Sequence, residues 1–367
     1  MSSHSTPTAT PLLDTLDGAA RAELLAIAQP VSFVRGAVLL RQGAPTRGAF
    51  FLRLGEAEAS VHLPGGEALI IAEAGAGGVI GEMALLEHGL CTATITARSA
   101  IDGLFIGRDD FRVLVARRSG AALAIQRAVT LNLCAKLTAL NARILAHPAP
   151  EDAPWSAEQP VAATQPRARA QPCSFDYRCF LPVLPVFNGW EADEIDEIAD
   201  IARVIELPRG SRLFQEGDEA DALYITVRGA IEITAPVTVP SSPDTAPSSP
   251  PSPHPSPHPS HLRRLAVLGP GHLIGHRSLV DGSRHAARAR TCENSVLLVL
   301  TRAQFLDLYE GTTPAALRLQ AAVHGALLRA MAHTNVTLTR LVNLARLAAA
   351  STAALEAALA EQVLYAS

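Results

Sequence analysis

The stretch GVIGEMALLEHGLCTAT, from Gly78 to Thr94, occurs a second time in altered form as HLIGHRSLVDGSRHAAR, from His272 to Arg288. Each copy has the pattern of a glycine-led turn, a short helical turn and the start of a strand. Such an arrangement can present backbone N–H groups to an anion. The two copies therefore decide the fold, and they raise the question of whether either one binds a ligand.

Residues at two fixed offsets extend this repeat over most of the chain. Three glycines of the first half recur 174 residues later, and three residues further along recur 194 residues later. The pairs are Gly36 with Gly210, Gly43 with Gly217, Gly55 with Gly229, Gly81 with Gly275, Phe111 with Phe305, and Asn141 with Asn335. The change of offset predicts an insert in the second half, where residues 238–261 are rich in proline and serine. We predict that this insert is disordered, because its composition cannot form a core.

Composition and charge narrow the class of protein. The chain has 367 residues, enough for two ordinary domains, and its net charge of −4 disfavours a globally basic nucleic-acid binder. The five cysteines form no CxxC pair, which favours a reducing cytosol over a disulfide framework or a zinc site. No apolar run is long enough to span a bilayer, and the polar N-terminus lacks a signal peptide, so we expect a cytoplasmic protein.

Short apolar runs punctuated by glycine predict an all-β sandwich or barrel in each half. A helix is predicted before the first β-region, over 12–28, and a long helix after each β-region. The predicted organisation is a disordered tail (1–11), a first domain (12–146), a linker rich in proline and alanine (147–180), a second domain (181–338) and a C-terminal helical tail (339–367).

Both long helices carry an apolar stripe at spacings of three and four residues, which places it on one helix face. The stripe positions are Ile125, Val129, Leu133, Leu137, Leu140 and Ile144 in the first helix, and Leu319, Val323, Leu327, Met331, Thr334 and Leu338 in the second. Two interpretations stay open: packing against the neighbouring β-roll, or a subunit or inter-domain interface. In the second interpretation, helices 119–146 and 314–338 bind a protein partner or a second copy of the chain.

The order of helix, glycine-punctuated β-roll, G-E-hydrophobic-A-L cassette and long helix resembles the cyclic nucleotide-binding domain of the catabolite activator protein and of kinase regulatory subunits. The resemblance covers about residues 12–146 and 181–338. It implies a mainly β fold with flanking helices, built as two tandem β-rolls of jelly-roll type. It also implies a cyclic nucleotide, cAMP or cGMP, as the ligand.

In that family the cassette reads roughly G-E-L-A-L and then R-x-A-T. Its glutamate accepts a hydrogen bond from the ribose 2′-hydroxyl, and its arginine pairs with the cyclic phosphate. The first copy matches at the glycine, the glutamate, the hydrophobic position and the alanine, but a cysteine stands at the arginine position. The candidate ligand-binding residues of this copy are Gly81, Glu82, Met83, Ala84, Cys91, Thr92, Ala93 and Thr94. For Glu82, ribose contact and a purely structural role in the turn both stay open.

The second copy departs further from the family pattern. Histidine replaces both the glutamate and the arginine, and serine replaces the alanine. The candidate residues of this copy are Gly275, His276, Ser278, Arg284, His285 and Arg288. Three interpretations of the nearby arginines stay open: pairing with acidic residues or facing water, an anion site in which Arg284 or Arg288 replaces the missing arginine, or a protein-docking surface.

Three classes of function compete for this sequence. A nucleophile–base pair, metal-ligand spacing or a P-loop would indicate an enzyme, and none is found. A DNA-binding regulator needs a helix-turn-helix after the long helix, and the 29 residues after Leu338 are alanine-rich and poor in basic residues. We therefore expect a non-enzymatic regulator with tandem, degenerate cyclic nucleotide-binding-like domains, acting through protein contacts. The alternatives are a functional receptor for a cyclic nucleotide or another anion, or a transcription regulator without a recognisable helix-turn-helix.

Overall fold

The computed structural model of the chain describes residues 16–45, 47–62, 68–86, 89–146, 171–172, 176–237 and 262–365, with side chains described up to residue 346. The predicted disordered tail at 1–11 and the predicted insert at 238–261 lie outside the described residues. Most of the predicted linker at 147–180 also lies outside them.

The chain divides into two compact units. The first contains residues 1–136 and 327–339, and the second contains residues 137–326 and 340–367. Each unit is built on two antiparallel β-sheets and is followed by a long helix. The prediction of two tandem, mainly β domains with flanking helices is therefore confirmed.

The first unit is a sandwich of two four-stranded sheets. Its strands are β1 (Ala28–Phe33), β2 (Val38–Leu40), β3 (Gly48–Leu54), β4 (Ala57–His62), β5 (Ala68–Ala74), β6 (Val79–Ile80), β7 (Thr94–Ala97) and β8 (Ile101–Gly107). They form the sheets β1-β8-β3-β6 and β2-β7-β4-β5. The helices are α1 (Gly18–Ala26), α2 (Arg108–Ala116) and α3 (Gly120–Ala146). Asp17 caps α1 by accepting a hydrogen bond from the Ala20 backbone, so this helix starts later than predicted.

Strand β3 is apolar from Gly48 to Leu52 because both of its faces are covered there. Phe50 packs in a cluster between the two sheets, and Phe51 packs in a second cluster with the helical residues Phe111 and Ile125. A strand buried on both faces loses the usual alternation of polar and apolar residues. The sheet β1-β8-β3-β6 therefore lies between the sheet β2-β7-β4-β5 and the helices α2 and α3.

The second unit repeats this arrangement. Its strands are β9 (Gln171–Pro172), β10 (Arg203–Leu207), β11 (Arg212–Phe214), β12 (Ala222–Arg228), β13 (Ile231–Pro236), β14 (Leu262–Leu268), β15 (Leu273–Ile274), β16 (Arg288–Thr291) and β17 (Ser295–Thr301). They form the sheets β9-β10-β17-β12-β15 and β11-β16-β13-β14. The helices are α4 (Ala192–Ile201), α5 (His276–Asp281), α6 (Arg302–Tyr309) and α7 (Pro314–Tyr365).

Two equivalent glycines show why the repeat is punctuated by this residue. Gly55 follows β3 with φ of 93°, and Gly229 follows β12 with φ of 92°. A side chain at Gly55 would lie 2.2 Å from the Ala100 carbonyl oxygen, and one at Gly229 would lie 2.3 Å from the Ser295 hydroxyl. Only glycine fits both the left-handed backbone and the lack of space.

The apolar stripes of α3 and α7 are buried within one chain. Leu133 is 1% exposed, Leu137 is 3% exposed and Leu327 is 1% exposed. Ile125 and Val129 belong to the core cluster of the first unit, as the packing interpretation expected. Self-association through these stripes would first have to uncover them.

Helix α7 is longer than the predicted stripe. It continues without interruption for 52 residues, from Pro314 to Tyr365, and so includes most of the predicted C-terminal tail. Among the described residues, no helix combines the length and apolar character needed to cross a membrane.

Candidate functional site

The first cassette begins with a tight turn at Gly81. This residue has φ of 73°, and a side chain there would meet the Leu40 side chain at 2.9 Å and the Gly48 carbonyl oxygen at 3.0 Å. A single 3₁₀ turn follows over Glu82–Leu85, with the Ala84 N–H donating to the Gly81 carbonyl at 2.9 Å. The glycine is therefore required by the backbone, whether or not a ligand binds.

Glu82 is buried and paired with a residue of α3. Its side chain is 4% exposed, and its carboxylate forms an ion pair with the ammonium of Lys136 and accepts a hydrogen bond from it. The side chain of Lys136 is 40% exposed. Lys136 is the only lysine of the chain. A charge this deeply buried needs such a partner. The pair therefore ties the cassette to the long helix of the same unit.

Cys91 is the residue that the sequence places at the arginine position of the cassette pattern. Its side chain is buried, 7% exposed, and burial raises the pKa of its thiol above the ordinary value. Its backbone is held by two hydrogen bonds, from Gly43 N–H to the Cys91 carbonyl at 2.9 Å and from Cys91 N–H to the Ala44 carbonyl at 2.8 Å. The group at this position is thus a neutral thiol, and it supplies no charge to an anion.

The other candidate residues of the first cassette are buried or half-buried. Ala84 and Ala93 are buried among the residues of the core. Thr94 is also buried, and its hydroxyl accepts a hydrogen bond from the Gln42 N–H at 3.1 Å. Met83 and Thr92 are half-buried.

The second cassette has the same glycine turn as the first, but different side chains follow it. Gly275 has φ of 86°, and a side chain there would lie 2.9 Å from the Ala222 carbonyl oxygen. Helix α5 follows with the half-buried His276 at the glutamate position and the buried Ser278 at the alanine position. The Ser278 hydroxyl donates to the Arg284 carbonyl at 3.4 Å. The cassette thus keeps its shape and lacks the carboxylate.

His285 is the structural equivalent of Cys91. Gly217 N–H donates to its carbonyl at 2.8 Å, and its own N–H donates to the Asp218 carbonyl at 2.9 Å, which repeats the two bonds of Cys91. Its imidazole is 4% exposed and stacks on Phe214, with ring centroids 3.6 Å apart and planes 6° apart. A side chain at Gly275 would lie 3.6 Å from this ring. The imidazole therefore fills space beside the turn of the second cassette.

The two candidate arginines of the second cassette point away from His285. Arg284 is 65% exposed and donates to the Gly217 carbonyl at 2.8 Å and to Glu219 at 3.0 Å. Arg288 begins β16, where the next residue, Ala289, packs in the core. Because successive strand residues point to opposite faces, Arg288 lies on the outer face of its sheet.

Two residues of the site were missed by reasoning from the sequence. Lys136 offers a weak signal in the sequence, since it is the only lysine of the chain. Phe214 offers a weaker one, an aromatic residue in a short apolar strand. Neither signal identifies a contact, because Lys136 is 54 residues from Glu82 and the stack joins β11 to the turn before β16.

Parts of this chain are similar to known proteins. Residues 30–118 match the family model of the cyclic nucleotide-binding domain. The chain is also similar to a cyclic AMP receptor protein from Thermus thermophilus, with 28% identity over 128 residues, which cover 34% of this chain. The match spans 48% of the length of that relative, about half of it.

Two solved structures are similar over most of their length. The regulatory domain of Toxoplasma gondii PKA, solved with cAMP, has 20% sequence identity, covers 87% of this chain and 91% of its own, and gives a TM-score of 0.29. The regulatory subunit of a cAMP-independent protein kinase A from Trypanosoma cruzi, bound to guanosine, has 16% identity, covers 85% and 87%, and gives 0.27. The match to the cyclic nucleotide-binding domain family thus covers residues 30–118, within the first of the two β-sandwich units.

Proposed function

We propose that this chain is a non-enzymatic regulatory protein whose two cyclic nucleotide-binding-like domains have weak or no affinity for cAMP and cGMP. It acts in the cytoplasm through contacts with other proteins. One observation carries the loss of nucleotide binding: the position of the family's arginine holds a buried, uncharged thiol in the first unit and a buried, stacked imidazole in the second.

In the first unit, the absence of the arginine removes the main binding partner of a cyclic phosphate. A thiol offers neither the permanent charge nor the bidentate geometry of a guanidinium. Loss of one partner from a buried, hydrogen-bonded charge pair costs roughly 2–5 kcal/mol, which is about 30-fold to several thousand-fold in affinity. In addition, Glu82, the residue that would accept from a ribose, already pairs with Lys136. A nucleotide would have to compete for that carboxylate.

In the second unit, both polar contacts of the family ligand are missing. His276 replaces the glutamate, and His285 stacks on Phe214 at the position of the arginine. Arg284 is the nearest basic residue in sequence, but Glu219 and the Gly217 carbonyl hold its guanidinium at the surface. Among the described candidate residues of this cassette, a cyclic phosphate would find no positive group in place without displacing the histidine ring.

Calorimetric titration of the full chain with cAMP and cGMP tests this proposal. We expect no saturable binding at micromolar ligand, and the same result for cyclic dinucleotides. The Cys91→Arg variant should gain affinity for cAMP by roughly 30-fold or more, because it restores the phosphate partner. Cys179→Arg is the matched control: it makes the same exchange at an exposed cysteine and should gain nothing.

Binding of cAMP by the unmodified chain at micromolar concentration would overturn the proposal and favour a functional receptor. Failure of Cys91→Arg to gain affinity, with its fold intact by circular dichroism, would show that the first pocket has lost more than the arginine. In that case the Lys136–Glu82 pair is the next contact to remove.

The protein contacts would use the exposed faces of α3 and α7, since the apolar stripes are buried. Leu131 on α3 is 39% exposed, and Val336 on α7 is 68% exposed. Sedimentation velocity over a range of concentrations tests self-association. If the chain self-associates, Val336→Asp should weaken the association and leave the fold unchanged, whereas a monomer at every concentration would restrict the proposal to a different protein as partner.

A further inference from the structure

The outer face of one sheet in the second unit carries a cluster of arginines. In the sheet β11-β16-β13-β14, Ala289 and Ile231 point into the core, so their strand neighbours point outward. The outward residues include four arginines around a single carboxylate. We call this surface the arginine face: Arg212, Arg264, Arg288, Arg290 and Glu232.

Strand register brings these side chains together. Arg290 lies opposite Arg212 on one side and opposite Glu232 on the other. Arg288 and Arg264 lie opposite the same residue, Thr234, from its two neighbouring strands. Neighbouring strands lie about 5 Å apart and outward residues of one strand about 7 Å apart. The four guanidinium groups therefore occupy an area that one or two phosphate groups would cover.

Two arginines of the arginine face, Arg212 and Arg288, form no ion pair within the described part of the chain. Glu232 pairs with Arg290 at 3.3 Å and lies 4.0 Å from Arg264. Arg288 makes no hydrogen bond or ion pair there, and burial and the nearby charge of Arg212 lower its pKa. Arg212 donates to Gln215 at 2.7 Å, but its buried Nε has no hydrogen-bond partner. A bound anion would relieve the repulsion and satisfy the donor.

The first unit shows that the fold does not require these arginines. Its equivalent sheet, β2-β7-β4-β5, keeps the carboxylate as Glu58 and has the same register. The residues that correspond to Arg212, Arg264, Arg288 and Arg290 are Val38, Ile70, Thr94 and Thr96. Four positions that are apolar or neutral in one copy are thus all arginine in the other.

We propose that the arginine face binds a phosphate-bearing small molecule, held chiefly by Arg212 and Arg288. Arginine suits this role because its planar fork donates two parallel hydrogen bonds to a phosphate. The small extent of the cluster fits one or two phosphate groups better than an extended nucleic acid. This site lies on the opposite face of the sheet from Phe214 and Ala289, so it is independent of whether either cassette binds a nucleotide.

Titration of the full chain with inorganic pyrophosphate tests the site, at low and at moderate salt. We expect saturable binding that weakens with salt, because the contacts are charged. Arg212→Val and Arg288→Thr each introduce a residue that the first unit accommodates at the same place, so both variants should fold. Each should weaken binding by about tenfold or more, since a hydrogen bond to a charged group is lost. Glu232→Gln should tighten it.

Arg228→Gln is the matched control. Arg228 is an exposed arginine of the other sheet, paired with Glu206 at 3.1 Å, and its loss changes the net charge by the same amount. Binding should be unchanged in this variant. Absence of pyrophosphate binding, or an equal loss in Arg228→Gln and Arg288→Thr, would overturn the proposal. Flotation with vesicles that contain phosphatidic acid distinguishes a lipid phosphate from the phosphate of a soluble molecule. Binding to these vesicles without binding to pyrophosphate would overturn the proposal of a soluble ligand.

Discussion

At the scale of single residues, Cys91 and His285 show that backbone and side chain are governed separately in the two cassettes. The same pair of backbone hydrogen bonds holds each residue, with donor–acceptor distances that agree within 0.1 Å: 2.9 and 2.8 Å for Cys91, 2.8 and 2.9 Å for His285. These bonds fix the turn without using the side chain. The side chain at this position is therefore free to vary without loss of the fold.

Removal of the Lys136 ammonium should destabilise the first unit. In Lys136→Met, the buried Glu82 carboxylate loses its partner, which should cost about 1–3 kcal/mol of unfolding free energy. The exposed side of the lysine limits the loss, since solvent already screens it. Lys136→Arg should retain most of the stability. Urea denaturation followed by circular dichroism measures these differences.

The double variant Lys136→Met/Glu82→Gln controls for effects of the methionine itself. If the pair matters, the double variant should be more stable than the sum of the two single changes predicts. A coupling free energy near zero would contradict the assignment of Lys136 as the partner of Glu82.

At the scale of elements, the contact between α6 and α7 depends on a neutral histidine. His324 of α7 is 5% exposed, and its Nε2 lies 3.3 Å from the Tyr309 hydroxyl of α6. Burial lowers the pKa of His324 to about 4. Between this value and the ordinary pKa near 6.5, the unfolded chain binds more protons than the folded chain. Stability should therefore fall as the pH is lowered from about 6.5 to 4.

The histidine should account for about 2 kcal/mol of the stability lost between pH 7 and pH 5. His324→Gln keeps a hydrogen-bonding group without a titratable one, so it should lose less over the same interval. The measurement is the urea midpoint of both proteins at the two pH values. Equal losses in the variant and the unmodified chain would show that His324 is not the group responsible.

The buried stripe of α3 makes a different prediction from the exposed face of the same helix. Leu133→Ala should lower the unfolding free energy by about 2–5 kcal/mol, because it removes a side chain that is 1% exposed. Leu131→Ala, at a residue 39% exposed two positions away, should change it by less than about 1 kcal/mol. A similar loss in both variants by urea denaturation would contradict the burial of the stripe. Light scattering would detect any change of oligomeric state.

At the scale of the whole molecule, the sequence was sufficient to predict the duplicated fold and insufficient to predict its contacts. The fixed offsets reflect turns such as those at Gly55 and Gly229, where local backbone geometry demands glycine. The helical character of the C-terminal tail was also predicted, and residues 339–365 contain neither glycine nor proline, but the continuity of this tail with the preceding helix was not predicted. The Lys136–Glu82 pair and the stack of His285 on Phe214 depend on distant segments meeting in space, which spacing alone does not encode.

The duplication also predicts that the two halves can exchange a loop. The hairpins β4–β5 and β13–β14 are equivalent, but 5 residues separate His62 from Ala68 whereas 25 separate Pro236 from Leu262. Replacement of residues 237–261 by LPGGE, the sequence of residues 63–67, should therefore leave the second unit folded. Closing a loop of one fifth the length should stabilise it by about 1 kcal/mol. Urea denaturation measures the change, and a reversed replacement in the first unit is the control, with an expected loss of similar size. Loss of the second unit's fold after shortening would mean that the inserted residues contribute contacts that the first unit does not need.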